Sequence, residues 1–391
     1  MSRTVIIDNG SGYIKCGFPS DRFPHSTFPN VVGRPIARSG ANLKGLEEVP
    51  DLLLGDQVEP YLSALQLTRP IDHGIITHLD DQKLIWDYAF NKKLVVDPSE
   101  TKVLLTEAPL NPVRNRENML EVLFENFDVP AAQVYAQAVL TLYASGQETG
   151  CVVDSGDGVT HVVPISNGMI FHHQVKRLNV AGRDITRNLL KLMCDRGFYL
   201  NEGSDLELVR KIKEEACYIA YDLDYEKKLN RETTAISEDY RLPDGSFLNL
   251  SHERFLAAEC LFQPHLVGLN ELPGVDMMTF NAINECPITA RKGLYENIFV
   301  SGGTSMYPGF PTRLERSIKS IYKRIVRKGG NEGRVKIKVK APANRKNSVF
   351  IGGAILAQVA EASADFWIQK SEYEECGANF VAKNRCGQLA F

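Results

Sequence analysis

The sequence predicts an α/β protein made of two similar halves. Three observations carry that prediction. Val5-Ile6-Ile7-Asp8-Asn9-Gly10-Ser11-Gly12-Tyr13-Ile14-Lys15-Cys16-Gly17 is an apolar β-branched run, an Asp, a small-residue turn and a second apolar run with alternation, which reads as a β-hairpin. Cys151-Val152-Val153-Asp154-Ser155-Gly156-Asp157-Gly158-Val159-Thr160-His161-Val162 repeats the same grammar. Between and after these hairpins, strand-like runs alternate with helix-like ones, the pattern of an α/β fold.

Each hairpin has the chemistry of a phosphate loop. Gly10 and Gly12 permit positive φ and a close backbone approach to a ligand. Successive N–H groups in such a turn form a concave anion site. A carboxylate beside that site repels a bare phosphate, so the pairing makes sense with a divalent cation between them. Two copies suggest two half-molecules offering phosphate loops to one nucleotide, with Asp8 and Asp154 sharing its hydrated cation. Taken singly, each hairpin also reads as an ordinary one, its Asp capping its own turn.

Along the chain, residues 1–29 are strand-rich. Residues 30–69 are broken by Gly33, Pro35, Gly40, Gly45, Pro50, Gly55 and Pro60 into a small loop-rich insertion, and 39–49 show no period at all. Asp80–Ala89 carries Leu84, Ile85 and Tyr88 at helical spacing. Lys102–Thr106 reads as a buried strand, and Asn115–Phe127 as a helix with Met119, Leu120, Leu123, Phe124 and Phe127 as its apolar stripe. Val134–Leu142 leads to the second hairpin. A further strand pair runs to Leu178, and Ala181-Gly182-Arg183-Asp184 opens a helix through about Arg196. Asp205–Leu223 reads as another helix, and 240–248 as a hairpin by its Asp-Gly turn. Ile298–Met306 is a strand ending in Gly302-Gly303 before a helix at Leu314. Ser348–Leu356 reads as the junction of a strand with the C-terminal helical region.

Candidate chemistry centres on few residues. Lys15, just past the first turn, can reach a phosphate as a point charge. Gln137 and His161 are candidates for orienting an attacking water and relaying its proton, since phosphoanhydride hydrolysis needs positioning and electrostatics above all. A surface Gln and a satisfied buried His are the plainer readings. Lys213-Glu214 and Gly302-Gly303 can line a nucleoside pocket. There is no Walker A, and no GxGxxG turn follows a strand with a later acidic partner, so neither a P-loop nor a Rossmann site is predicted.

Composition narrows the classes. At 391 residues, 43% hydrophobic and 24% charged, the chain has an ordinary globular profile with length for two or more domains. Net charge of −3 gives no global pull toward nucleic acid or anionic membrane. The eight cysteines show no CxxC and no zinc spacing, which suits reduced thiols of a cytosolic or nuclear protein. No signal peptide and no membrane span are expected. From Lys319 to Lys346 there are eleven Lys or Arg and one acid, Glu332. Within that run, 327–334 reads as an exposed loop, and Lys336, Lys338 and Lys340 as one face of a strand. A solvated face is the plain reading, and an electrostatic contact with an acidic protein the sharper one.

In order along the chain, Asp8-Asn-Gly-Ser-Gly, Asp154-Ser-Gly-Asp-Gly-Val-Thr-His161, Gly182-Arg-Asp, Leu261-Phe-Gln-Pro264, Ser301-Gly-Gly-Thr304, Met306-Tyr-Pro-Gly309 and Arg345-Lys346 before Ile351-Gly-Gly353 resemble the actin family over essentially the full length. The resemblance implies an actin-like ATPase fold: two similar α/β domains around a nucleotide cleft, each with a smaller inserted subdomain. The first would comprise 1–144 plus 346–391, with 30–69 inserted, and the second 145–345, with 181–270 inserted. It implies ATP or ADP with Mg²⁺ or Ca²⁺. Asp8, Gln137 (through water) and Asp154 would hold the metal, and Gln137, Asp154 and His161 would serve catalysis. Nucleotide contacts would come from Asn9, Gly10, Ser11, Gly12, Lys15, Gly156, Asp157, Gly158, Val159, Arg210, Lys213, Glu214, Gly302, Gly303, Thr304, Met306, Tyr307 and Lys346.

Several features depart from conventional actins. An acidic N-terminal tail is absent before the first strand, 39–49 differ, 319–335 hold an insertion, and Asn347 replaces a Tyr. With Glu107–Arg116, Leu140–Ala144, Tyr240–Gly245 and Phe366–Tyr373, these resemble actin-related members that act within a multi-subunit assembly. The implied role is templating branches from the side of existing filaments, with ATP turnover slow and secondary. The implied partners are the other subunits, including a second actin-related protein, actin monomers, filament sides and nucleation-promoting factors, in the cytoplasmic and cortical actin cytoskeleton. A filament-forming actin, a chromatin-associated actin-related subunit and, more distantly, a sugar kinase are the alternatives.

Overall fold

The computed structural model describes residues 3–36, 50–201, 205–242, 245–326, 335–361, 363 and 365–387. The segments 39–49 and 327–334 and the Asp244 corner of the second-half hairpin lie outside them. The chain divides into two units, Met1–Gln147 with Asn347–Phe391, and Glu148–Lys346.

The first unit is built on a six-stranded sheet. Its order is Ile368–Gln369, Ala131–Ala136, Thr101–Glu107, β1 (Arg3–Asn9), β2 (Tyr13–Gly17) and β3 (Ser26–Pro29). β1 pairs antiparallel with β2 and parallel with Thr101–Glu107, which is itself parallel to Ala131–Ala136. A parallel strand covered on both faces reads as an unbroken apolar run, which accounts for the fully buried Val5-Ile6-Ile7. Val5 and Ile7 join Val103, Leu105 and Trp86 in one core. α1 (Leu79–Tyr88) and α2 (Val113–Glu121) add Trp86 and Leu120 to that core, and α3 (Gln137–Tyr143) follows directly on the Ala131–Ala136 strand.

Two expectations for this unit change. The helix read as Asn115–Phe127 begins earlier, after Pro112, and its final turn widens to π geometry over Val122–Asn126. Ser348–Val359 is one helix with no strand in it. A β-branched and aromatic run followed by Gly-Gly mimics a strand and turn. Here the glycine serves close helix packing: a Cβ on Gly352 would sit 1.8 Å from Leu140 O, in α3. The insertion at 30–69 carries a three-stranded sheet of Leu53–Leu54, Val32–Pro35 and Leu65–Thr68, with its own small core of Val31, Leu53, Val58 and Leu65.

The second unit repeats the plan. Its sheet runs Met169–Ile170, Thr160–Ser166, Gly150–Ser155, Ile298–Ser301, Val339–Lys340. Gly150–Ser155 pairs antiparallel with Thr160–Ser166 and parallel with Ile298–Ser301, as β1 does with its own two neighbours. The expected second strand pair does not form: Met169–Ile170 and Lys176–Leu178 each pair back onto Thr160–Ser166. Of the Lys336–Lys340 alternation only Val339–Lys340 joins the ladder, and Ile337 is buried beside it.

α4 (Gly182–Asp195) follows, then α5 (Leu206–Ala216) and α6 (Leu223–Glu232). α5 covers only the first part of the helix expected over Asp205–Leu223, and α6 begins where that expectation ended. The chain leaves helical geometry at Cys217, because Tyr218 N and Ile219 N donate to Arg254 O and Pro308 O. Asp222 then caps α6 by accepting from Tyr225 N at 3.2 Å. The strands Glu238–Arg241 and Phe247–Leu250 form the expected hairpin. All eight cysteines are unbridged. Among the described residues no helix is long and apolar enough to cross a membrane.

Candidate functional site

Both hairpins place their carboxylate by the same strand logic. In each, the Asp stands near the end of the first strand, opposite a residue seven positions on: Asp8 pairs with Lys15, and Asp154 with His161. In each, a parallel strand brings a hydroxyl residue alongside. Asp154 is in register with Ser301, and Thr106 lies one step beyond the last β1 pair, Ile7 with Leu105.

The first turn is held by a buried network. Asp8 Oδ1 accepts from Thr106 Oγ1 at 2.8 Å and from Gln137 Nε2 at 3.2 Å, while Lys15 Nζ donates to Oδ2 at 3.2 Å. Gln137, the first residue of α3, also donates to Asn9 O and Thr106 Oγ1. Asn9 receives Trp86 Nε1 on its Oδ1 at 2.9 Å and donates Nδ2 to Thr106 O. Asn30 braces the turn by donating to Gly10 O and Gly12 O, and Ser11 Oγ accepts from Gly74 N at 3.0 Å. Gly10 and Gly12 do not use the positive φ expected of them. Gly10 is needed for space, since a Cβ there would meet Tyr13 O at 2.4 Å.

The second turn packs on the start of α4. Gly182 N and Arg183 N donate to Gly156 O and Asp157 O, and Thr304 Oγ1 also donates to Gly156 O. The Arg183 guanidinium reaches Asp157 Oδ2 at 3.1 Å, so this carboxylate has a fixed cation beside it. Gly158 and Val159 are buried within the turn. Gly302 has φ +88, and a Cβ there would approach Ser155 O at 2.2 Å and Asp154 Oδ1 at 2.9 Å, so only glycine fits. Gly303 faces open space.

His161 is 1% exposed, and its Nε2 has no hydrogen-bond partner among the described residues. Burial, aided by the Arg177 cation, pushes its imidazole down to about 3, so it is neutral at ordinary pH. It can accept a hydrogen bond but supplies no positive charge. Lys213 is buried on α5 and donates to Gly182 O at 2.9 Å. Burial lowers its ammonium pKa against the raising pull of Asp157 and Glu214. Arg210 and Glu214 are bonded to each other at 2.7 Å, and Arg210 also holds Glu207. Tyr307 lies in the hydrophobic core with its hydroxyl unpartnered among the described residues, and burial pushes the phenol well above its usual value. Met306 ends the short turn Gly303–Met306, and Lys346 is exposed.

The donor set suits a cation that arrives with its own shell. Among the described residues no group of three or more His, Cys, Asp or Glu is arranged to hold a metal ion. Mg²⁺ bound through one or two carboxylates, waters and phosphates needs no such cage.

The sequence model of the actin family matches residues 1–386. The chain belongs to the actin family. It is 48% identical over 384 residues to "Actin-related protein 2" of Acanthamoeba castellanii, covering 98% of each chain. It is 45% identical over 386 residues to the protein of that name in Drosophila melanogaster, covering 97% of this chain and 96% of the relative. The Caenorhabditis briggsae protein of that name is 46% identical over 386 residues, covering 97% of each chain. The fold is accordingly the actin-like α/β fold. Reading the residues by type singled out Asp8, Lys15, Gln137, Asp154 and His161 as candidates, but it gave no role to Thr106, Trp86, Asn30 and Arg183, which bond to the two turns. Thr106 carried one weak signal, a hydroxyl ending a buried strand.

Proposed function

We propose that the chain is an ATP- and divalent-cation-binding, actin-like subunit of the actin-related protein 2/3 complex. In that role it templates branches from the side of existing actin filaments. The observation that carries this reading is the near-complete coverage of relatives named actin-related protein 2, together with two hairpins that place Asp8 and Asp154 alike.

Bound ATP supplies phosphates that carry the cation. Asp8 and Asp154 would hold that hydrated ion, with Gln137 acting through water. The backbone and side chains of Asn9–Gly12, Lys15 and Gly156–Val159 would serve the phosphates. Arg210, Lys213, Glu214, Gly302–Thr304, Met306, Tyr307 and Lys346 would serve the nucleoside. Gln137 would orient an attacking water, and neutral His161 would accept a hydrogen bond from it, a contribution of positioning more than of covalent chemistry. A ligand held by both hairpins favours the closed arrangement by its differential affinity for it. Closure would set the surfaces offered to the other subunits, to a second actin-related protein, to actin and to nucleation-promoting factors. Hydrolysis, slow and secondary, would relax that preference. The place of action is the cytoplasmic, cortical actin cytoskeleton.

The test is recovery of the tagged chain from its own cells. A discrete multi-subunit assembly that accelerates actin polymerisation when stimulated is the expected result. Recovery with chromatin-remodelling factors instead, or polymerisation of the purified chain by itself with salt and ATP, would overturn the assignment.

A further inference from the structure

Thr106 is fully buried at the end of the Thr101–Glu107 strand, and its hydroxyl is used to capacity. A threonine hydroxyl has one proton to give and two lone pairs to receive with. Here the proton goes to Asp8 Oδ1 at 2.8 Å, while Asn9 N and Gln137 Nε2 donate to it at 3.0 and 3.2 Å. The Thr106 carbonyl is held as well, by Asn9 Nδ2 at 3.2 Å. Asn9 cannot turn away, because Trp86 Nε1 fixes its Oδ1.

We infer that Thr106 is the positioning residue for both Asp8 and Gln137. The assignment rests on the nucleotide reading above and deepens it. Donation to Oδ1 sets the rotation of the Asp8 carboxylate and turns Oδ2 toward Lys15. Gln137 Nε2 also faces Asn9 O and Asp8 Oδ1, so these acceptors together with Thr106 Oγ1 fix the nitrogen end of that amide and leave the Gln137 carbonyl as the end for a water. One hydroxyl thus takes part in aiming both the carboxylate that takes the cation and the amide that takes the water. Removing it leaves the Asn9 and Gln137 donors without one acceptor and lets the Asp8 carboxylate rotate. Outer-shell partners of this kind typically change metal affinity or activity by about 10–100-fold when lost.

The experiment uses the full chain and three forms of residue 106: wild type, Thr106→Val, which keeps the shape, and Thr106→Ser, which keeps the hydroxyl. ATP retention is titrated with Mg²⁺, and single-turnover hydrolysis is followed at saturating Mg²⁺. Thermal melts without nucleotide or cation monitor the fold. The expected result is that Thr106→Val needs about 10–100-fold more Mg²⁺ for half-maximal retention. It should recover full retention at saturating Mg²⁺ and still hydrolyse more slowly, and Thr106→Ser should track wild type. Thr106→Val matching wild type overturns the assignment. So does Thr106→Ser failing as badly as Thr106→Val, because the site then needs threonine's packing and not its hydroxyl. If the wild-type chain itself retains no ATP, the nucleotide reading falls and this assignment falls with it.

Discussion

The indole Nε1–H of Trp86 donates to Asn9 Oδ1 at 2.9 Å, with both residues buried. The bond ties α1 to the first turn and decides which way the Asn9 amide faces, its Nδ2 going to Thr106 O. Trp86→Phe keeps most of the apolar contact but strands a buried acceptor, which costs about 1–3 kcal/mol. A lower urea midpoint at unchanged slope is the expected readout. An unmoved midpoint would show that the turn is held without this bond.

The glycines of the two units divide sharply by the space around them. A Cβ at Gly352 would stand 1.8 Å from Leu140 O, whereas one at Gly303 meets nothing within 4 Å. Overpacking against a backbone atom cannot be relieved by a side-chain rotamer, so Gly352→Ala should destabilise by about 3 kcal/mol or more, or yield insoluble chain. Gly303→Ala should stay within about 0.5 kcal/mol of wild type. Denaturation of the two variants side by side checks this, and equal midpoints would contradict it.

The same contrast explains what was legible in the sequence. The two hairpins were readable because their grammar is local: an apolar run, an Asp, a small-residue turn and a seven-residue spacing fix the register of Asp8 with Lys15 and of Asp154 with His161. Thr106 was not readable as part of the site, because its importance arises from a parallel neighbour almost a hundred residues earlier in the chain. The helix Ser348–Val359 was hidden by residues of high β-propensity, which close packing on α3 overrides. The break after Ala216 has no local breaker either, since tertiary acceptors at Arg254 and Pro308 take the amides of Tyr218 and Ile219.

His161 makes stability depend on pH with a definite sign. Its folded value, about 3, lies below the unfolded value of 6.5. Between those values the unfolded chain binds the extra proton, so stability is complete above about 6.5 and falls as the pH drops toward 3. One such group gives a slope approaching about 1.4 kcal/mol per pH unit well inside that window. His161→Gln should flatten the dependence of the denaturation midpoint between pH 6.5 and 5, read from melts at stepped pH. A slope identical to wild type would assign the acid sensitivity elsewhere.

Removal of the divalent cation should release the nucleotide. Among the described residues no group of three or more His, Cys, Asp or Glu is arranged to hold a metal ion, so the proposed cation would be bound jointly with phosphate and water. Adding a chelator in excess over Mg²⁺ and Ca²⁺ should speed ATP dissociation from the full chain, and restoring Mg²⁺ should slow it again. Dissociation that ignores the chelator would show that the phosphates are held by protein donors alone.

Nucleotide binding and branch nucleation should fail together. Gly303→Tyr is a sound probe because a Cβ at Gly303 enters open space, so the bulk blocks the proposed nucleoside position with little disturbance of the core. Asp154→Ala removes a proposed cation ligand by an independent route. A ligand shifts a conformational equilibrium only by its differential affinity, and reversing a 1:99 balance takes a preference of about 10⁴-fold. Either variant, assembled with its partners, should therefore nucleate branches far below the wild-type rate at saturating ATP. The measurement is actin polymerisation seeded by the purified assembly, set beside ATP retention by the same sample. A variant that has lost ATP yet nucleates at the wild-type rate would break the link between nucleotide and assembly, and ATP would then be a structural cofactor of the chain.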